Sequence, residues 1–160
     1  MREGGKRLGE ILQKVGKLVA PGISTKKLDE YAEKLIQEGG DTPAFLNYQP
    51  EGAKYPYPAS LCVSINDEVV HGIPTAEKIL KDGDIVAIDL GLKHRGLFTD
   101  AAISVPVGKI DPESKKLLET TRKALAKGIS AARAGNYVGD ISYAIESAIR
   151  PHGYGIVEIL

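Results

Sequence analysis

Two acidic residues and one histidine carry the chemistry this sequence can do. Asp89 lies in Ile85-Val86-Ala87-Ile88-Asp89-Leu90-Gly91, and Asp100 interrupts Leu97-Phe98-Thr99-Asp100-Ala101-Ala102-Ile103. Both runs are rich in β-branched and apolar residues and read as successive strands, with turn residues across Lys93-His94-Arg95-Gly96. Side chains alternate along a strand, so Asp89 shares a face with Ile85 and Ala87 while Ile88 and Leu90 point the other way. A loop centred between His94 and Arg95 sets Asp89 directly opposite Asp100. Opposed Cβ atoms lie roughly 4.5–5.5 Å apart, where like charges repel, more strongly in a dry site. The pair therefore reads in three ways: two surface aspartates at a solvated strand end, a dyad sharing one proton, or ligands of a bound cation. Ile88, Leu90, Ala101, Ala102 and Ile103 argue for depth and against the first.

His71 stands in Val69-Val70-His71-Gly72-Ile73-Pro74, where Gly and Pro force the chain to turn. A lone histidine is more often structural than catalytic. His94 falls in the expected hairpin turn and His152 just after a helix stop, so both read as exposed loop residues. Cys62, on an apolar strand, reads as inert core packing or as part of a pocket wall.

The elements that must position these groups follow from periodicity. Leu8, Ile11, Leu12, Val15, Leu18 and Val19 form one helical stripe that Pro21-Gly22 ends. Ser24 or Thr25 caps a second helix with Leu28, Tyr31, Ala32, Leu35 and Ile36 inward, stopped by Gly39-Gly40, and the two helices should pack as a pair. Residues 41–60 hold prolines and tyrosines without a period and read as an irregular loop or surface wall. Strands are expected over 61–70 and 85–105, antiparallel. Asp111-Pro112 opens a third helix with Leu117, Leu118, Thr121 and Leu125 inward, and a fourth runs from about Asp140 to Arg150 with Ile141, Ala144, Ile145 and Ala148 inward. Gly155 to Leu160 reads as a further strand, ending while still apolar.

Composition narrows the class. The 160 residues are 42% hydrophobic and 26% charged, which suits a single folded domain over 1–160. Twenty-one basic residues balance 21 acidic ones, so no positive field invites a phosphate backbone or an anionic membrane surface. One cysteine excludes an internal disulfide and suits a reducing compartment; no run of about 18 apolar residues occurs. The expectation is a cytoplasmic protein.

With these residues in hand, the chain resembles the type I methionine aminopeptidases. The resemblance rests on Tyr57-Pro58-Ala59-Ser60-Leu61-Cys62-Val63-Ser64-Ile65-Asn66, Val69-Val70-His71-Gly72-Ile73-Pro74, Asp82-Gly83-Asp84-Ile85-Val86-Ala87-Ile88-Asp89 and Thr99-Asp100-Ala101-Ala102. It implies an α+β pita-bread fold, of which this is the N-terminal half: a curved antiparallel sheet covered by two pairs of helices. It implies two divalent metal ions (Co, Mn, Fe or Zn), with Asp89 chelating one and Asp100 bridging both, to activate water for hydrolysis. His71 would bind substrate and assist the amide nitrogen at the scissile bond; Tyr57 and Cys62 would line the methionine pocket.

By the same resemblance, the remaining ligands of this family, a histidine and two glutamates, belong to a second half that does not follow here. The chain alone is therefore expected to have little or no activity. Nascent polypeptide N-termini, close to the ribosome, are the expected partners, and a monomer is expected for the complete fold. The competing expectations are a prolidase-like or Xaa-Pro aminopeptidase specificity and a non-catalytic half-fold that docks onto a partner.

Overall fold

The computed structural model describes residues 1–157. In chain order the elements are α1 (Arg2–Leu18), α2 (Thr25–Glu38), β1 (Thr42–Pro43), β2 (Leu61–Ile65), β3 (Ile85–His94), β4 (Leu97–Pro106), α3 (Pro112–Ala131) and α4 (Val138–Ile149), with a 3-10 turn over Arg150–His152. They form two compact units, Met1–Ile110 and Asp111–Leu160.

The first unit is a 4-stranded antiparallel sheet with α1 and α2 on one face. The alternation in β3 is the reason: Val86, Ile88, Leu90 and Leu92 are fully buried, and they meet Leu8, Leu12 and Val15 of α1 and Leu28, Ala32 and Ile36 of α2 in one core. Ser24 caps α2 by accepting from the Lys27 N–H, and Gly39-Gly40 ends it. α1 starts at Arg2, well before its first apolar residue, and Gly4 shows why: a Cβ there would sit 3.2 Å from the His94 Cβ and 3.3 Å from Thr99 Cγ2, so the missing side chain lets the first turn lie on the β3–β4 hairpin.

β3 is the centre of the sheet. β4 pairs along one edge, while β2 and the two-residue β1 share the other. β1 was expected to be irregular chain. β2 stops at Ile65 rather than reaching Val70, because Asn66 takes a left-handed backbone with φ 54° and turns the chain. Gly155 to Val157, where a strand was expected, carry none, and the rest of that expected strand lies outside the described residues.

In the second unit, Asp111 caps α3 by accepting from the Glu113 and Ser114 N–H groups, with Pro112 in the first turn. Of the expected inner side of α3 only Leu118 is half-buried. Leu117, Thr121 and Leu125 are exposed, and the buried residues are the small Thr120, Ala124 and Gly128. Gly128 explains it, since the Ile145 side chain comes within 2.8 Å of where a Cβ would stand and Ile141 within 3.6 Å. Two helices this close select a seam of small residues.

Candidate metal centre

The hairpin turn sets the geometry of the site. β3 runs to His94 and β4 starts at Leu97, leaving a two-residue turn of Arg95 (φ 48°) and Gly96 (φ 82°), both left-handed as a type I′ turn requires. The turn is thus centred between Arg95 and Gly96, and the pairing shifts by two residues: Asp89 faces Ala102, and Asp100 faces Gly91. The aspartates are not directly opposite. They are diagonal neighbours on one face, the face away from the helices, because a shift of two preserves parity. The expected depth also fails on one side: Ala101 and Ala102 are exposed, as is Asp100, whereas Asp89 is half-buried.

Asp89 shows the cost of that placement. Burial, the Asp100 charge, and the hydrogen bond the two carboxyl groups share push its pKa up from 3.8 to about 6, while the His71 charge pulls it down. Its Oδ1 is buried with no hydrogen-bond partner. A buried carboxylate oxygen left orphaned beside a second carboxylate is the donor set a divalent cation satisfies, and so the residues fit a metal. Among the described residues, no third His, Cys, Asp or Glu completes a ligand cluster with them.

Cys62 pairs with Asp89 across β2–β3 and so lies on the same face. It is buried, and desolvation raises its thiol pKa. Tyr57 is held beside it, its own pKa raised by burial first and then by Cys62. The Tyr57 hydroxyl lies 3.2 Å from the Leu61 carbonyl and 3.3 Å from that of Gly72.

His71 adopts a left-handed backbone, φ 56°, in the loop that runs beside β2. Gly72 fastens that loop: a Cβ on it would fall 2.2 Å from the Val63 carbonyl oxygen, its own carbonyl accepts the Val63 N–H at 2.8 Å, and its N–H donates to Ser64 Oγ at 3.1 Å. The structure thus brings Tyr57, Cys62, His71, Asp89 and Asp100 to one region. His94 does not belong there. It is buried rather than exposed, because it is the last residue of β3 and its Nδ1 lies 2.6 Å from Asp41 Oδ1, a carboxylate also held by Arg7 at 3.3 Å.

Two contributors escaped sequence reasoning. Phe45 covers Gly91, where a Cβ would meet the ring at 2.7 Å, and with Tyr48, Phe98 and Asp100 it lines an open groove of about 450 Å³. A glycine two residues after Asp89 in a β-strand was the available signal. Asp29, buried on α2, accepts the Ser60 N–H at 2.7 Å and the Leu61 N–H at 3.3 Å and pairs with Lys26, fixing where β2 begins. A single aspartate within a helical stripe gave no comparable sign.

The chain matches Metallopeptidase family M24 over residues 1–158. It is 45% identical over 154 residues to a methionine aminopeptidase of Aquifex aeolicus, covering 96% of this chain and 60% of that protein. It is 41% identical over 157 residues to methionine aminopeptidase 1 of Bacillus subtilis, again covering 60% of its length. The crystal structure of methionine aminopeptidase from Rickettsia prowazekii superposes with a TM-score of 0.91 at 37% identity, covering 98% of this chain and 60% of that one. The prolidase from Pyrococcus horikoshii shares the fold, with a TM-score of 0.79 at 17% identity. The chain spans about 60% of the length of the curated relatives it matches. With profile and fold in agreement along nearly its whole length, the chain belongs to metallopeptidase family M24 and is more similar to the methionine aminopeptidases than to the prolidase.

Proposed function

We propose that this chain provides the aspartate half of a divalent-metal centre that removes the amino-terminal methionine from peptides. The observation that carries the reading is the diagonal placement of Asp89 and Asp100 on the sheet face away from the helices, with Asp89 Oδ1 buried and unpartnered. Two divalent ions, of Co, Mn, Fe or Zn, are the proposed occupants, and Asp89 and Asp100 are the side chains of this chain that would hold them. When bound, such ions supply Lewis acidity, acidifying water and polarising the scissile carbonyl.

The chain's own residues do the rest. On holding such an ion Asp89 would be ionised, releasing its proton to solvent, and the nearby His71 charge favours that form. His71, at the rim, binds the substrate and assists the amide nitrogen at the bond being cleaved. Tyr57 and Cys62, with Phe45 packed edge-on against Tyr57, give an apolar wall suited to an unbranched thioether side chain. Nascent polypeptide N-termini in the cytoplasm are the proposed substrates.

Calorimetric titration with Mn²⁺ at pH 7.5 tests the centre. Binding is expected, with loss of roughly tenfold or more in affinity in Asp89→Ala and in Asp100→Ala. Binding unchanged in both variants would overturn it. The 160-residue chain alone is expected to cleave a Met-Ala peptide barely, if at all. Co-expression with the remaining portion of the Aquifex relative should raise that turnover while leaving Xaa-Pro peptides uncut.

A further inference from the structure

Three backbone and side-chain contacts converge on one residue, the one that follows His71. Gly72 receives the Val63 N–H on its carbonyl, gives its N–H to Ser64 Oγ, and lies 3.3 Å by its carbonyl oxygen from the Tyr57 hydroxyl. The first two bonds tie Gly72 to β2, one backbone to backbone and one to the Ser64 hydroxyl. The third comes from a different segment, fifteen positions earlier in the chain. It matters because His71 carries a left-handed backbone at φ 56°, a conformation that costs a non-glycine residue of order 1 kcal/mol or more and persists only where the surroundings over-determine it.

We infer that Tyr57 is a positioning residue: its hydroxyl braces the Gly72 carbonyl against β2 and so holds His71 in its left-handed backbone beside Asp89. The single hydroxyl proton is shared between the Leu61 and Gly72 carbonyls in a three-centre bond, at 3.2 and 3.3 Å, so the phenol spans β2 and the His71 loop. The ring is fixed from the other side by an edge-on contact with Phe45, at 6.4 Å between centroids and 90° between planes. The backbone of its own segment is closed, with the Tyr57 N–H donating to the Tyr48 carbonyl at 2.8 Å and its carbonyl accepting the Asn47 N–H at 2.9 Å. A phenol anchored at ring and backbone is a stiff brace. A phenylalanine would keep the apolar wall but leave the loop held by its β2 contacts alone. This rests on His71 acting at the site as proposed above, but the brace itself is a statement about backbone geometry.

The test is nuclear magnetic resonance on the 160-residue chain and its Tyr57→Phe variant. In the variant, amide exchange at Val63 and Gly72 should rise roughly three- to tenfold, the span of one lost neutral hydrogen bond. The His71 ring signals should shift towards averaged values, while the Ile88 and Leu90 amides stay unchanged. Replacing Tyr57 with 4-aminophenylalanine, which restores a donor, should reverse both effects. Loop exchange and His71 signals unmoved in Tyr57→Phe would overturn the brace and leave Tyr57 a pocket wall only.

If Tyr57→Phe fails to fold, Ser64→Ala decides, since with the phenol intact His71 should keep its signals; His71 set loose by Ser64→Ala would refute the brace. Added Mn²⁺ separates this from the metal reading. Cys62, Asp89 and Ala102 signals that stay sharp with Mn²⁺ would sink the metal centre and leave the brace standing.

Discussion

As the proposed ligand, Asp89 must also be a stable part of the fold, and the two demands conflict. Its folded pKa, raised to about 6 from 3.8, means the fold favours the protonated form. Stability from that proton is fully present below about pH 4 and lost as pH rises through about 6. Asp89→Asn, which mimics the protonated acid, should remove the dependence. In metal-free urea denaturation the variant should match the parent near pH 4 and exceed it near pH 7 by about 1–2 kcal/mol, a range already reduced for solvent screening at a half-exposed group. A parent that gains stability over the variant on going from pH 4 to 7 would contradict this. At this scale the sequence was informative. Charged residues within apolar strands and a histidine at a forced turn stand out by type alone. His94 was misread because its neighbours Lys93 and Arg95 look like a loop, while its partner Asp41 is distant in sequence.

Among the elements, the hairpin was legible in its strands and misplaced in its turn. Alternation assigns each side chain to a face but leaves register to the loop, and Lys93-His94-Arg95-Gly96 offers no Asn-Gly to mark the centre. The structure places both left-handed residues at Arg95 and Gly96. Arg95→Asn should suit that first position better and stabilise the chain by about 0.5 kcal/mol, read as a rise in melting temperature with the Gly91 to Asp100 pairing kept in cross-strand nuclear Overhauser contacts. A fall in melting temperature would contradict the turn assignment. The seam of α3 was illegible for another reason. Its leucines outweigh Thr120, Ala124 and Gly128 in hydrophobicity, yet close approach by Ile141 and Ile145 selects small residues over apolar ones.

For the molecule as a whole, the resemblance read from four sequence blocks led to the family and fold that the comparisons show. The partition into two units was not visible in composition. The unit of Asp111–Leu160 has no buried residue in α4, and Ile129, Val138 and Tyr143 are 65%, 79% and 73% exposed. Few buried apolar contacts mean low local stability. Native-state hydrogen exchange should show α4 amides opening at lower denaturant than those of β3, and coincident opening of both would count against that difference.

The turn of Arg95 and Gly96 also limits which insertions and deletions the hairpin can accept. A pleated ribbon counts modulo two. Lengthening the connection by an even number of residues slides Asp100 along Asp89 but leaves both on one surface, whereas a single added residue rotates the acid toward the helix-covered side unless a bulge absorbs it. Indels at this loop are therefore sorted by odd or even count before their size matters.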